Sequence, residues 1–324
     1  MPLNLVKWIT ITRIATVLGL LILTGCAARP RHEPVAYQLE PWTEGPSGAQ
    51  KLTTPHYIVY TSVKDPVLVE AFPGLIERAY EYYRALVPSS REPDDRMKVY
   101  LFAKRGEWVY FTKRFTGNRA NTFLKIRGGG YSERGVSVMQ YVAHQVTFPL
   151  LAHEGFHQYL HHCVHPAVPA WLNEGLAVVC EGQRWTTSGL EEFDPWYNPA
   201  RRNLLAESLL KSRLFSLQEL LDTHAGRVIH ETSARVGTYY AQVWVLILFL
   251  REGLDGKYAE GYQQMVNALA APDLEQRLRA ESVWVTGKPL SRGAALFRGF
   301  ISDDLETCER EYMNFLREKI LNAH

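Results

Sequence analysis

The pentapeptide His153-Glu154-Gly155-Phe156-His157 constrains this chain more than any other stretch. On a helix, residues i and i+4 stand one above the other on one face, so both imidazoles point the same way. Two imidazoles so placed can hold one metal ion through one nitrogen each. The helix is supported by its surroundings: Thr147 reads as its N-cap and Pro149 as a first-turn residue, where a missing N–H costs little. With about 3.6 residues per turn, Glu154 lies about 100° round the helix from His153. Its carboxylate is then beside a metal rather than on it, where it can take a proton from an attacking water.

A catalytic zinc ion takes three protein ligands and leaves a fourth position open. The third candidate is Glu174, seventeen residues after His157, in Pro169-Ala170-Trp171-Leu172-Asn173-Glu174-Gly175-Leu176-Ala177. That length lets one helix end, the chain turn across His165 to Pro169, and a second helix return across the first. One Zn2+ ion held by His153, His157 and Glu174 is therefore expected, with Glu154 as general base. His161 continues the same face at i+8 but is a full turn too far to share the ion. With His162 and His165 it reads as a polar helix end.

The 324 residues are 46% apolar and 22% charged, an ordinary globular composition able to bury a sizeable core. A formal net charge of +2 gives no case for nucleic acid. The start of the chain differs. Lys7 and Arg13 precede a largely apolar run from Ile14 to Leu23, too short to span a bilayer, followed by Leu23-Thr24-Gly25-Cys26. This is a secretory signal. Its ending resembles the bacterial lipobox, which implies cleavage before Cys26 and a lipid on that cysteine. Loss of residues 1–25 removes Lys7 and Arg13 and no acid, leaving the mature chain formally neutral. Ala27 after the cysteine, rather than Asp, points to the outer membrane, so a lipid-anchored protein of the bacterial envelope, facing the periplasm, is expected. The remaining cysteines, Cys163, Cys180 and Cys308, are odd in number and read as buried free thiols.

Residues 26–50, rich in Pro, Gly, Arg and Glu without a period, read as a flexible tether. The fold is expected to begin near Lys51. Residues 56–61 and 98–103 read as strands, and 66–86 and 106–115 as helices, which makes 51–127 an α/β lobe. Gly128-Gly129-Gly130 interrupts the chain, and no G-K-[ST] follows to make it a phosphate loop. Residues 135–142 read as a strand, either interior or an exposed edge that could take up an extended peptide. Residues 184–200 read as a loop. Helices are expected at 201–211, 216–221, 238–251, 259–270 and 303–320, within a zinc-binding helical lobe over 128–324.

The segments H-E-G-F-H, W-L-N-E-G-L-A and Y-A-Q-V-W-V-L together resemble the gluzincin metallopeptidases, closest to the peptidase MA-like bacterial proteins and distantly to the aminopeptidase N clan. The resemblance implies an α+β zincin fold: a sheet-bearing lobe packed on a helical lobe, with the zinc cleft between them. It implies a zinc hydrolase acting on a peptide or protein. Tyr240 matches the tyrosine that donates to the oxyanion in aminopeptidase relatives, with Tyr239 as its competitor in register. Two departures stand out. Thermolysin-like members carry an Asp four residues after the ligand Glu, buttressing a ligand histidine, and here that position is Val178. The aminopeptidase G-x-M-E-N motif is absent, and Gly130-Tyr131-Ser132-Glu133-Arg134 occupies a comparable place, where Glu133 could hold a substrate amine. A lipid-anchored binding or assembly protein that keeps the fold without turnover is the alternative reading. The sequence gives no indication of oligomeric state.

Overall fold

A computed structural model describes residues 35–164, 168–186, 189–223, 232–282 and 290–321. The signal segment and Cys26 lie outside the described residues. The architecture is α+β, with a sheet in the N-terminal region and helices through most of the C-terminal region.

The sheet holds β1 (Gln38–Pro41), β2 (Gln50–Thr53), β3 (Tyr57–Thr61), β4 (Met97–Phe102), β5 (Gly130–Glu133) and β6 (Val136–Gln140). Their order is β1-β2-β3-β4-β6-β5; β3, β4 and β6 run parallel, and the outer pairings are antiparallel. Strand side chains alternate between faces. Val59, Val99, Leu101 and Met139 face the main core, under α1 (Pro66–Leu86). Phe102, Val138 and Tyr131 face a smaller core closed by Trp108 of α2 (Arg105–Thr116) and Phe123 of α3 (Ala120–Phe123). Helix α1 starts where local chemistry dictates: Asp65 caps the N–H of Val67 and Pro66 takes the first turn. Its inward stripe, Leu68, Phe72, Leu75, Ile76, Ala79, Tyr83 and Leu86, is buried.

Beyond the sheet come α4 (His144–Cys163), α5 (Ala170–Cys180), a two-stranded ribbon of β7 (Gln183–Thr186) and β8 (Gly189–Phe193), α6 (Pro199–Leu210), α7 (Leu217–Asp222), α8 (Ser233–Glu252), α9 (Ala259–Ala268), α10 (Leu274–Ser282), α11 (Arg292–Phe300) and α12 (Leu305–Leu321). Helix α8 is the spine of this region, with every side chain from Ala241 to Leu250 inaccessible to solvent. Helix α5 packs on it closely: a Cβ at Gly175 would stand 2.8 Å from the Val243 carbonyl oxygen. Cys163, Cys180 and Cys308 are buried free thiols. Among the described residues no helix is long and apolar enough to cross a membrane.

Several expectations need correction. The sheet starts inside the expected 26–50 tether, since β1 pairs Gln38 with Thr53. All four β1 side chains are exposed, so the strand leaves no apolar alternation in the sequence. A boundary at residue 127 cuts the sheet, because β5 and β6 complete it. The strand at 135–142 is not an edge: β6 lies between β4 and β5, and β5 takes the edge. The 184–200 loop contains β8 and most of β7. Helix α8 begins at Ser233, capped by the Thr232 hydroxyl, so Tyr240 sits two turns inside rather than at the entrance.

Candidate metal centre

Helix α4 begins a turn earlier than the sequence suggested. Ala143 stands at its N-cap, and the Thr147 hydroxyl accepts the Val142 N–H (3.1 Å) from inside the helix. Pro149 is therefore an interior proline, which denies the Gln145 carbonyl its helical partner without breaking the helix. The helix is fastened to the sheet side by Gln158, whose Nε2 donates to the carbonyls of Lys98 (2.8 Å) and Gly135 (3.0 Å). It is fastened to α1 by Tyr83, whose hydroxyl donates to the Ala152 carbonyl (2.8 Å).

Helix α5 returns across α4 as its spacing required. It brings Glu174 Oε2 to 3.4 Å from His153 Nε2 and 3.5 Å from His157 Nε2. One ligand atom from each of the three residues lies within 4.8 Å of the others. The other ring nitrogens are committed. His153 Nδ1 is 2.9 Å from Glu181 Oε1, and His157 Nδ1 is 2.7 Å from Asn173 Oδ1. Acceptors at both Nδ1 atoms fix the Nδ1–H tautomer of each ring when it is neutral, so that Nε2, on the Glu174 side, is the nitrogen free for a metal. Glu181 is itself clamped: Arg201 donates from Nη2 (2.7 Å) and Nε (3.0 Å), and Asn198 from Nδ2 (2.8 Å). Asn198 also caps α6 through the Arg201 N–H, so one helix start builds the whole clamp.

The charges of this group act strongly on one another. Burial pulls the His153 imidazole down, but Glu174 and Glu181 outweigh it and push the pKa up to about 10. Burial raises Glu174, yet the two histidines drive it far below the usual carboxylate range. Glu181 is lowered to about 2, against burial, by Arg201 and His153. Burial raises Glu154, partly offset by His157 and His153. Glu174 Oε2 is buried with no hydrogen-bond partner. A metal on both Nε2 atoms would hold the imidazoles neutral, and the carboxylates of Glu154, Glu174 and Glu181 would then exceed Arg201 by two charges. A divalent cation on two imidazoles and a carboxylate satisfies both the charge and the orphaned oxygen.

Around this group, Glu154 is 6% exposed, and its carbonyl accepts from Ser132 Oγ of β5 (2.8 Å). Tyr240 lies on the metal side: its ring is 6.0 Å from that of His153, and Arg201 stands over it at 5.2 Å. The charge of Glu174, then burial, pushes its phenol well up, so it stays protonated. Tyr239 is buried edge-on to Phe215 at 5.9 Å, its hydroxyl without a hydrogen-bond partner and its phenol raised by burial and by the charge of Glu174. Glu133 is not a free carboxylate, because Arg119 pairs with it. Glu181, Asn173, Asn198 and Arg201 escaped the sequence reading. Glu181 carried a signal, since it stands seven residues, two full turns, after Glu174 and so on the same face. Arg201 and Asn198 carried none, because only the fold brings the start of α6 back to Glu181.

No protein-family model matches the chain, and no curated protein is significantly similar to it.

Proposed function

We propose that this chain is a zinc-dependent peptidase with a gluzincin-type zincin fold, held by a lipid on Cys26 at the periplasmic face of a bacterial outer membrane. The observation that carries the reading is the convergence of His153, His157 and the orphaned Glu174 oxygen, with both histidine Nδ1 atoms already held. When bound, zinc supplies Lewis-acid polarisation of the scissile carbonyl. Glu154, buried beside the ligands, takes the proton of the attacking water and passes it to the leaving amine. Tyr240 donates its phenolic hydrogen to the developing oxyanion. A peptide lies extended along the free edge of β5, whose Ser132 is bonded to the Glu154 carbonyl. Glu133 takes no part in holding a substrate amine while Arg119 occupies it.

Hydrolysis of a mixed peptide library, with and without chelator, tests this. Activity should vanish on chelation and return with zinc. Glu154→Gln should keep zinc and lower turnover by roughly 10²–10⁴. Tyr240→Phe should lower it by roughly 10²–10³, while Tyr239→Phe leaves it unchanged. Chelator-insensitive hydrolysis, or an active zinc-loaded Glu154→Gln, would refute the assignment.

A further inference from the structure

Residues 104–134 carry eight Lys or Arg and two acids, whereas the whole 324-residue chain has a formal net charge of +2. The segment has an excess of six positive charges, so the rest of the chain is net negative. Such asymmetry marks an electrostatic surface rather than evenly solvated charge. The segment folds into α2, α3, β5 and the turn into β6. Its apolar side chains, Trp108, Phe123 and Tyr131, close the smaller core, on the sheet face away from the main core that α4 helps to form. That leaves Lys104, Lys113, Arg114, Arg119, Lys125, Arg127 and Arg134 exposed.

Both acids are engaged. Glu107 accepts from the Ser62 hydroxyl (2.6 Å) and the Lys104 N–H (3.3 Å), and Glu133 pairs with Arg119. Among the described residues, Arg119 is the one cation of the segment in an ion pair. Tyr110, 64% exposed, lies under the Arg114 guanidinium at 5.6 Å. An exposed aromatic beside a cation suits the boundary between water and lipid, where such side chains keep an apolar body low and a polar tip wet.

We propose that this basic face docks on anionic phospholipid headgroups. An acidic polypeptide fits less well, because Lys113 and Arg114 lie on α2, which packs on the sheet face away from α4, and only Arg119 and Arg134 flank β5. A substrate held along α2 would not reach Glu154. The inference takes only its choice of partner from the lipid-anchored reading. The anchor then fixes the protein to a membrane, and the basic face fixes how it lies there, with the zinc helix on the far side of the sheet from the bilayer. Each cation near an anionic surface should strengthen adsorption about fivefold. The effect should fade as the Debye length shrinks to about 3 Å in molar salt.

Sedimentation of the full-length chain with vesicles tests this. One set is equal parts phosphatidylglycerol and phosphatidylcholine; the other is phosphatidylcholine alone. A lipid anchor partitions equally into both, so the difference reads the basic face. We expect at least about a tenfold preference for the anionic vesicles at low salt, lost in molar salt. The triple variant Lys113→Glu, Arg114→Glu, Lys125→Glu should lose the preference, and the corresponding Gln variant should lose most of it. Zinc content and far-ultraviolet circular dichroism of both variants should be unchanged. Equal binding to the two vesicles, or a preference that survives the triple variant, overturns the proposal. So does binding of poly-glutamate by the wild type that the triple variant loses, measured in the same buffer with no preference between the vesicles, which would identify an acidic polymer instead. Loss of zinc or hydrolysis in the wild-type chain would count against the peptidase reading and leave this one standing.

Discussion

His153 is gripped on one side by Glu181 and faces Glu174 on the other, and the strength of the proposed metal site depends on that grip. A ligand imidazole whose Nδ1–H is held by a carboxylate is fixed in tautomer and orientation and made more basic. Glu181 can play this part while buried because Arg201 neutralises it through two hydrogen bonds. Glu181→Gln keeps an acceptor near His153 but loses the charge and leaves Arg201 unpaired. Zinc affinity should fall about 10–100-fold, measured by competition with a chromophoric chelator, with the fold retained. Val178→Ala should leave affinity unchanged, since an aliphatic side chain offers no acceptor to a ligand imidazole. Unaltered affinity in Glu181→Gln would show that the buttress is ornamental. The ligands and Glu154 were legible because their spacing is local and helical. The buttress was sought four residues after Glu174, where this chain places a buried Val178, and it lies one turn further on.

Two glycines in the motifs decide how closely the ligand-bearing helices approach their neighbours. A Cβ at Gly155 would stand 2.6 Å from the Tyr83 hydroxyl of α1, and a Cβ at Gly175 would stand 2.7 Å from Ile247 of α8. Both positions look like unspecified spacers in sequence, yet each removes a side chain where two helices must touch. Gly155→Ala gains about 1 kcal/mol of intrinsic helix preference but overpacks a filled interior, a cost of about 1–3 kcal/mol. The melting temperature should fall. Adding Tyr83→Phe, which deletes the clashing oxygen, should recover part of the loss, giving a favourable coupling in the double-mutant cycle. A Gly155→Ala protein as stable as wild type would mean that α1 and α4 are not packed this tightly. Helix α1 was readable to the residue because capping, proline and apolar stripe agree. Strands β1 and β7 were not. The first is exposed on all four residues, and three of the four residues of β7 are exposed, so neither shows the alternation that a half-buried strand leaves in sequence.

For the molecule as a whole, the two ligand helices lie at the join between the sheet and the helical region. Helix α4 leans on the sheet through Gln158 and on β5 through Ser132, while α5 leans on α8. The sequence pointed to two lobes, and its hydrophobic pattern could not show that the sheet closes only with β5 and β6, because a glycine triplet hides their continuity. The large core runs unbroken from β3 and β4 through α4, α5 and α8 to α12, so the proposed metal ligands sit on elements that share one core. The peptidase reading follows from one claim, that His153, His157 and Glu174 hold a metal ion. Metal analysis of the purified full-length chain beside His153→Ala, after dialysis, tests it most directly. The wild type should retain about one zinc per chain and the variant essentially none, with matching circular dichroism. A wild type without zinc above background, or a variant that keeps a full equivalent, would contradict it.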